Sequence, residues 1–330
     1  MEQKIVALVG PTAVGKTDVS IELAKQLGAE IVGCDSMQVY RRMPILTQQP
    51  TLAQRAEVPH RLIDCVEPTE AFSVGQYRRM ALEAIEKIQH RGKIVLIVGG
   101  TGLYLKALTD GLCDAPPADA RIRAALWQAI RQEGSEAFHR RLEGIDPQAA
   151  AKIHPHDARR LVRALEVYEF TRQPLSSFWN QTHGRRFTMQ LIGLTRDRAK
   201  LYERINRRVE RMVREEGVLA EAKRLLALPL SHTARQVHGL RFLEASLKGK
   251  TSLPEMICRW QQQVRNYARR QLIWFRAEPR IRWITCTPGE PIHAIVNRIL
   301  DVLQPRVVAS KGCGIDARIV RRESVSSKAK

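Results

Sequence analysis

Hydrophobic positions along this chain follow two spacings in turn. An apolar run from Lys4 to Val9 gives way to Val19, Leu23 and Leu27, which repeat at four-residue steps up to Gly28. The first pattern predicts a strand buried on both faces. The second predicts a helix over about Thr17–Leu27 with one face on a core. The alternation then returns. Glu30–Cys34 predicts a second strand, Arg61–Val66 an edge strand, and the β-branched run Lys93–Val98 another fully buried strand. Between them, Gln76–Arg91 puts Tyr77, Met80, Ala81, Ala84, Ile85 and Ile88 on one helical face. Residues 41–60, with their Pro and Gln, read as loop. Strand, helix, strand, helix, strand predicts an α/β protein with a doubly wound parallel sheet.

The pattern changes near Cys113-Asp114-Ala115-Pro116-Pro117. From Ala118 to about Arg186 only helical periodicity remains. Asp119 is placed to cap a helix carrying Ile122, Leu126, Ala129 and Ile130, and Asp157 to cap one carrying Leu161, Ala164 and Leu165. A strand returns at Thr188–Leu194, followed by helices at about 198–228 and 254–276, a strand at 280–285 and a helix at 290–303. The simplest organisation is a core of residues 1–114 and 188–304, interrupted by an all-helical insertion domain over 115–187. The tail 305–330, rich in Gly, Ser, Lys and Arg, is expected to be disordered.

Composition alters this picture in one respect. Of 330 residues, 54 are Lys or Arg and 34 are Asp or Glu, a formal net charge of +20. Such a field attracts polyanions, nucleic acid before anionic membrane, or serves solubility. The six cysteines include no C-x-x-C pair, as in reduced thiols of a cytosolic protein. The first residues enter a strand directly and no apolar run approaches membrane-spanning length, so a cytoplasmic protein with no membrane segment is expected.

Chemistry gathers where the strands are predicted to end. Gly10-Pro11-Thr12-Ala13-Val14-Gly15-Lys16-Thr17 is the G-x-x-x-x-G-K-[ST] phosphate loop, set between a strand and a helix. Small residues let successive N–H groups curl around a phosphate, and the helix N-terminus adds its dipole. Lys16 offers a point charge to the outer oxygens, and the Thr17 hydroxyl a ligand to Mg²⁺. The expected fold class is therefore a P-loop NTPase-like parallel-sheet core with an all-helical insertion. Asp35-Ser36-Met37-Gln38 ends the second strand and Gly99-Gly100-Thr101-Gly102-Leu103-Tyr104 the next. In open α/β sheets these ends share one crevice. Asp35 suits either a general base or a turn cap. The run Ile94–Val98 ends in Gly-Gly-Thr and not in the Asp that helps hold Mg²⁺ in phosphoryl transfer, and no N-K-x-D signature occurs. The loop thus reads as holding a pyrophosphate without cleaving between phosphates. His154-Pro155-His156 is a helix entry or, with no third ligand near, a poor metal site.

Several of these segments together resemble the tRNA dimethylallyltransferases (isopentenyltransferases, the IPP transferase family), which attach a five-carbon prenyl group to N6 of the adenosine 3′ of the anticodon, position 37. The resemblance spans about residues 4–285. It rests on segments 10–17, 35–40 and 99–104, on His-Pro-His-Asp-Ala-Arg-Arg-Leu-Val-Arg-Ala-Leu-Glu-Val (154–167), on Arg-Ile-Asn-Arg-Arg-Val (204–209) and on Tyr-Ala-Arg-Arg-Gln-Leu-Ile-Trp-Phe-Arg (267–276). It implies dimethylallyl diphosphate and the tRNA anticodon stem-loop as substrates, Mg²⁺ as cofactor, a monomer, and an insertion that grips the stem-loop. It also implies Asp35 as general base toward N6, Thr101 near the bridging oxygen, and Arg208 as a cation on the leaving diphosphate. Without the resemblance, Arg208 reads as part of a solvated basic face. The resemblance further implies contact of the flipped base or its neighbours with Asp35, Ser36, Met37, Gln38 and Thr101, and with Gln236, Val237, His238, Gly239, Leu240 and Arg241. Arg159, Arg160, Leu161, Val162 and Arg163 in the insertion, and more weakly Arg123, are candidates for tRNA contact, or simply surface pairs. The arginine-rich helix 254–276 suits a phosphate-facing surface.

The chain departs from the family pattern at Leu240, where tyrosine is common, at Phe242, where an acid or amide is common, and at Arg172, where glycine is usual. A bacterial-type enzyme is expected, because these 330 residues carry no pattern like the C-terminal zinc finger of eukaryotic relatives. A small-molecule P-loop kinase, a prenyltransferase of free adenine nucleotides and a non-catalytic RNA-binding ATPase are the competing readings.

Overall fold

The structure is a computed structural model that describes residues 5–113, 115–116, 119–181 and 187–303. Expectations for Lys4, for residues 182–186 and for the tail 305–330 lie outside the described residues. The chain opens with β1 (Ile5–Val9), α1 (Lys16–Leu27), β2 (Ala29–Cys34), the short helices α2 (Pro44–Thr47) and α3 (Leu52–Glu57), and β3 (His60–Arg61). α4 (Val74–His90), β4 (Ile94–Gly99) and α5 (Gly102–Thr109) follow. Next come α6 (Ala120–Glu133), α7 (Ser135–Ile145), α8 (Pro147–Ala150), α9 (Ala158–Thr171) and a 3-10 segment over Leu175–Gln181. The chain then returns through β5 (Met189–Thr195), α10 (Arg198–Arg214), α11 (Val218–Leu226), α12 (Leu240–Leu247), α13 (Leu253–Arg276), β6 (Arg282–Thr285) and α14 (Ile292–Leu303).

The six strands form one parallel sheet in the order β3-β2-β4-β1-β5-β6. Successive side chains of a strand point to opposite faces. Ile5, Ala7 and Val9 accordingly pack with Tyr77, Ile85, Leu105, Leu240 and Trp260, while Val6 and Leu8 pack with Val19, Leu23, Leu201, Ile205 and Ile299. Both faces are covered, which is why the strand sequences are apolar throughout. Each fully buried Leu or Ile contributes about 1.5–3 kcal/mol relative to exposure. A third cluster, with Leu126, Ile130, Phe138, Leu142, Leu161 and Leu165, lies wholly within α6–α9. Asp119 and Asp157 cap α6 and α9 as the sequence predicts, accepting from the N–H groups of Ile122 and Arg160.

Register decides where the motifs meet. Val9 and Cys34 both pair with Gly99, so β1, β2 and β4 finish level with one another. The segments that follow them, beginning at Gly10, Asp35 and Gly100, leave the sheet side by side.

Four expectations need correction. Residues 41–60 hold two helices; α3 has a Thr51–Gln54 capping box, and α2 is capped from a distance by Glu221, whose carboxylate accepts from Ile45 N at 3.0 Å and Leu46 N at 2.7 Å. The edge strand is only His60–Arg61, because Leu62 and Asp64 take positive φ (58° and 56°) and break the extended backbone. The helix expected at 198–228 is two helices parted before Val218. The helix α12 has no counterpart in the sequence reading.

Candidate active site

The phosphate loop is held open by its backbone. Gly10 has φ +148°, and a Cβ there would lie 2.5 Å from the Leu194 carbonyl oxygen of β5, so the position admits glycine alone. Gly15 begins α1 without a side-chain cap, leaving the first helical N–H groups facing the loop's interior. Lys16 Nζ donates to the carbonyls of Gly10 (2.9 Å) and Pro11 (2.8 Å). Burial lowers its pKa to about 8, with Asp35 opposing and Arg208 reinforcing the shift. The outer wall of the loop is basic. Arg204 Nε donates to Ala13 O at 2.9 Å, Arg196 Nη2 to Val14 O at 3.4 Å, and Arg208 Nη1 lies 3.5 Å from Thr12 Oγ1. Arg208 is thus no solvated surface residue; burial, with Arg204 and Arg211 nearby, lowers its pKa to about 10. The Thr12 N–H is withdrawn from the cradle, since it donates to Gln271 Oε1 at 2.9 Å.

Across the crevice, Asp35 does the work of a turn cap with one oxygen only. Its Oδ1 accepts from Met37 N (2.9 Å) and Gln38 N (3.3 Å), and Oδ2 takes no hydrogen bond among the described residues. Thr101 starts α5, yet its hydroxyl does not cap that helix; it accepts from Ser36 N at 3.0 Å. The Tyr267 phenol lies beside the Thr101 side chain, and burial pushes its pKa up. The His238 ring lies 4.2 Å from the Tyr267 ring, and its buried Nδ1 has no hydrogen-bond partner among the described residues. Tyr77 and Tyr104, stacked at 3.9 Å, with Phe72 edge-on to Tyr104, form an aromatic wall behind Asp35 and Cys34.

A phosphate loop, a carboxylate with a free oxygen and a threonine hydroxyl therefore share one crevice. The family model for IPP transferase matches residues 38–278. The chain belongs to the IPP transferase family. It is 43% identical over 304 residues to the tRNA dimethylallyltransferase of Carboxydothermus hydrogenoformans, covering 91% of this chain and 97% of that protein. It is 43% identical over 303 residues to that of Geobacillus kaustophilus, covering 91% and 96%. The crystal structure of the full-length tRNA isopentenylpyrophosphate transferase from Bacillus halodurans superposes with a TM-score of 0.67 at 40% identity, covering 92% of this chain and 97% of that one. A eukaryotic dimethylallyltransferase captured acting on tRNA superposes with a TM-score of 0.77 at 27% identity, covering 92% and 81%.

Within this family member, the residues considered for tRNA contact divide by burial. Arg159, Arg160, Gln236 and Arg241 are exposed, and Arg159 Nη2 lies 3.2 Å from Gln236 Oε1, so the insertion and the 236–241 segment meet. Leu161 and Val162, both at most 1% exposed, belong to the insertion's core and cannot present their side chains to RNA. Val237 and Leu240 are likewise core residues, in the cluster that holds Trp260. Arg123 and Arg163 both pair with the buried Glu166, at 2.6 and 2.9 Å, which binds them to the insertion itself. Gln38 is also occupied: its Nε2 donates to Gln48 O at 2.7 Å and bridges to α2. Gly239 N donates to Gln263 Oε1 at 3.0 Å, which seats the segment on α13. His154 Nδ1 accepts from His156 N, as a helix entry does. Sequence reasoning missed Arg196, Arg204, Tyr267 and Gln271 as parts of the site. Arg204 had a signal, lying one helical turn before Arg208; Gln271 stood within the family segment 267–276, which gave it no role of its own.

His238 makes the site sensitive to acid. Burial lowers its pKa to about 4; Asp35 pulls the other way, and Arg270 and Arg241 add to the depression. An unfolded chain would protonate near the ordinary value of 6.5. Between those values the unfolded state binds the extra proton, so stability present above pH 6.5 is lost as pH falls toward 4. The loss should be about 2 kcal/mol, after discounting for partial exposure. Urea unfolding of the wild type and His238→Leu at pH 7 and pH 4.5 measures it. The variant should lose less stability on acidification, and equal losses would refute the assignment.

Proposed function

We propose that this chain transfers the dimethylallyl group of dimethylallyl diphosphate to N6 of adenosine 37 in tRNA and releases diphosphate. The observation that carries the reading is the level ending of β1, β2 and β4. It puts the phosphate loop beside the free oxygen of Asp35 and the hydroxyl of Thr101, with Gly99-Gly100 where a phosphoryl-transfer enzyme of this fold carries an acid.

The chemistry follows from the weakness of the nucleophile. The N6 lone pair is delocalised into the adenine ring, so the electrophile must do most of the bond breaking. The allylic C–O bond breaks with its electron pair going to the diphosphate, N6 bonds to the carbon, and the N6 proton leaves. The N–H groups of the loop, Lys16 and Arg208 neutralise the charge that grows on the diphosphate. Lys16, now on the carbonyls of Gly10 and Pro11, is within reach of a phosphate entering that cradle. Asp35 Oδ2 receives the proton, and Thr101 orients toward the bridging oxygen.

The half-buried Thr17 hydroxyl stands in the first turn of α1, and among the described residues no group of three or more His, Cys, Asp or Glu could hold a metal. That donor set fits Mg²⁺, which keeps its waters and takes further ligands from a substrate's phosphates. Bound there it supplies positive charge against the leaving group. For tRNA, the exposed Arg159, Arg160 and Arg241, with Arg269 and Arg270 on α13, offer cations to backbone phosphates. No helix among the described residues is long and apolar enough to cross a membrane. We infer that the enzyme works as a cytoplasmic monomer.

Purified protein incubated with dimethylallyl diphosphate, Mg²⁺ and an anticodon stem-loop bearing adenosine 37 should yield prenyl-adenosine by nucleoside mass spectrometry. Preference for AMP over the stem-loop would replace the proposal with free-nucleotide prenylation. ADP formed from ATP with a small acceptor, and no prenyl-adenosine, would replace it with a kinase.

A further inference from the structure

We propose that Gln271 is a positioning residue whose single buried amide fixes the spacing between the diphosphate cradle and the Thr101 turn. The side chain leaves α13 and is 5% exposed. Its Oε1 accepts from Thr12 N at 2.9 Å, and its Nε2 donates to Gly100 O at 2.8 Å. One contact lies on the loop after β1 and the other on the turn after β4, so one planar group ties two strand ends together. The two ends ask for opposite chemistry, an acceptor toward residue 12 and a donor toward residue 100. Among common side chains of this length only an amide supplies both. The fit is close: a Cβ on Gly100 would stand 2.2 Å from Nε2.

The neighbours on α13 support the same role. Tyr267, Gln271 and Trp274 stand at i, i+4 and i+7, on one face of the helix. Tyr267 lies beside the Thr101 side chain, and Trp274 lies against Gly102. That face lies along the 99–102 turn, and Gln271 also reaches across to the phosphate loop. On the prenyl-transfer reading, on which this inference rests, the loop holds the leaving group and the turn lies beside the nucleophile. Their separation governs how readily carbon passes from oxygen to nitrogen, while each substrate still binds its own half.

The test compares wild type with Gln271→Met, which keeps length and loses both hydrogen bonds, and Gln271→Asn, which keeps an amide too short to span. The Asn variant keeps a polar group in the slot, so it decides the matter if the Met variant does not fold. In folded variants kcat for prenyl transfer should fall by about 10–100-fold. KM for the stem-loop and the Kd for inorganic diphosphate should stay within about twofold of wild type. A folded variant with wild-type kcat, or one whose kcat, KM and Kd all worsen together, overturns the inference. Failure of the wild type itself to form prenyl-adenosine would instead count against the function.

Discussion

Asp35→Asn should lower kcat for prenyl transfer by about 10²–10⁴-fold while the protein folds normally and binds the stem-loop with unchanged KM. The choice of asparagine follows from the division of labour between the two carboxylate oxygens. Oδ1 accepts from the N–H groups of Met37 and Gln38 and shapes the turn. An amide oxygen can take over that duty. Oδ2 is free among the described residues, and an amide nitrogen in its place has no basicity for the N6 proton. The two roles that the sequence could not separate, turn cap and general base, are thereby separated by one substitution. Steady-state kinetics with the stem-loop, alongside a thermal melt, measures both. Turnover at the wild-type rate would remove Asp35 from the proton-transfer step. A collapse of folding in Asp35→Asn would show that both oxygens are structural.

Lys16→Met should lower kcat by about 10²–10³-fold and weaken diphosphate binding together. The ammonium reaches inside the loop, as its bonds to Gly10 O and Pro11 O show. Its lowered pKa, about 8, adds a second signature. Below that pH the free enzyme presents a charged Lys16; above it the group must take up a proton before it can serve a diphosphate. Binding of inorganic diphosphate should therefore weaken as pH rises through about 8, by up to roughly tenfold per pH unit. Lys16→Arg should bind with less dependence on pH in that range, because a guanidinium keeps its charge. Isothermal titration between pH 7 and 9.5 separates the cases. A wild-type affinity that is flat across that range would show that Lys16 does not titrate there.

The sheet was legible because its strands are buried on both faces, and continuous runs such as Ile94–Val98 have few alternatives. The helical segment 120–171 was legible from caps, Asp119 and Asp157, that are local to the chain. What escaped the sequence depends on distant partners. α2 is only four residues long, and its N–H groups are satisfied by Glu221, which lies on α11. Arg208 looks like surface in a helix this basic; that it faces Thr12 depends on which stripe of α10 is buried, here Leu201, Ile205, Val209 and Met212. The candidate site was read largely as whole motif segments, and burial divides such segments: Arg159 and Arg160 stay outside while Leu161 and Val162 point inward. Gln271 sat inside the family segment 267–276 without a role, because a glutamine in a polar helix usually faces water.

The contact between Arg159 and Gln236 has a mechanical consequence. Both side chains are exposed, and the bond between them is 3.2 Å long. A single hydrogen bond in water holds its partners by about 1 kcal/mol or less, so thermal motion opens and recloses it freely. Arg159 can therefore exchange Gln236 for a phosphate oxygen at little cost, since a charge-assisted bond to an anion is the stronger of the two.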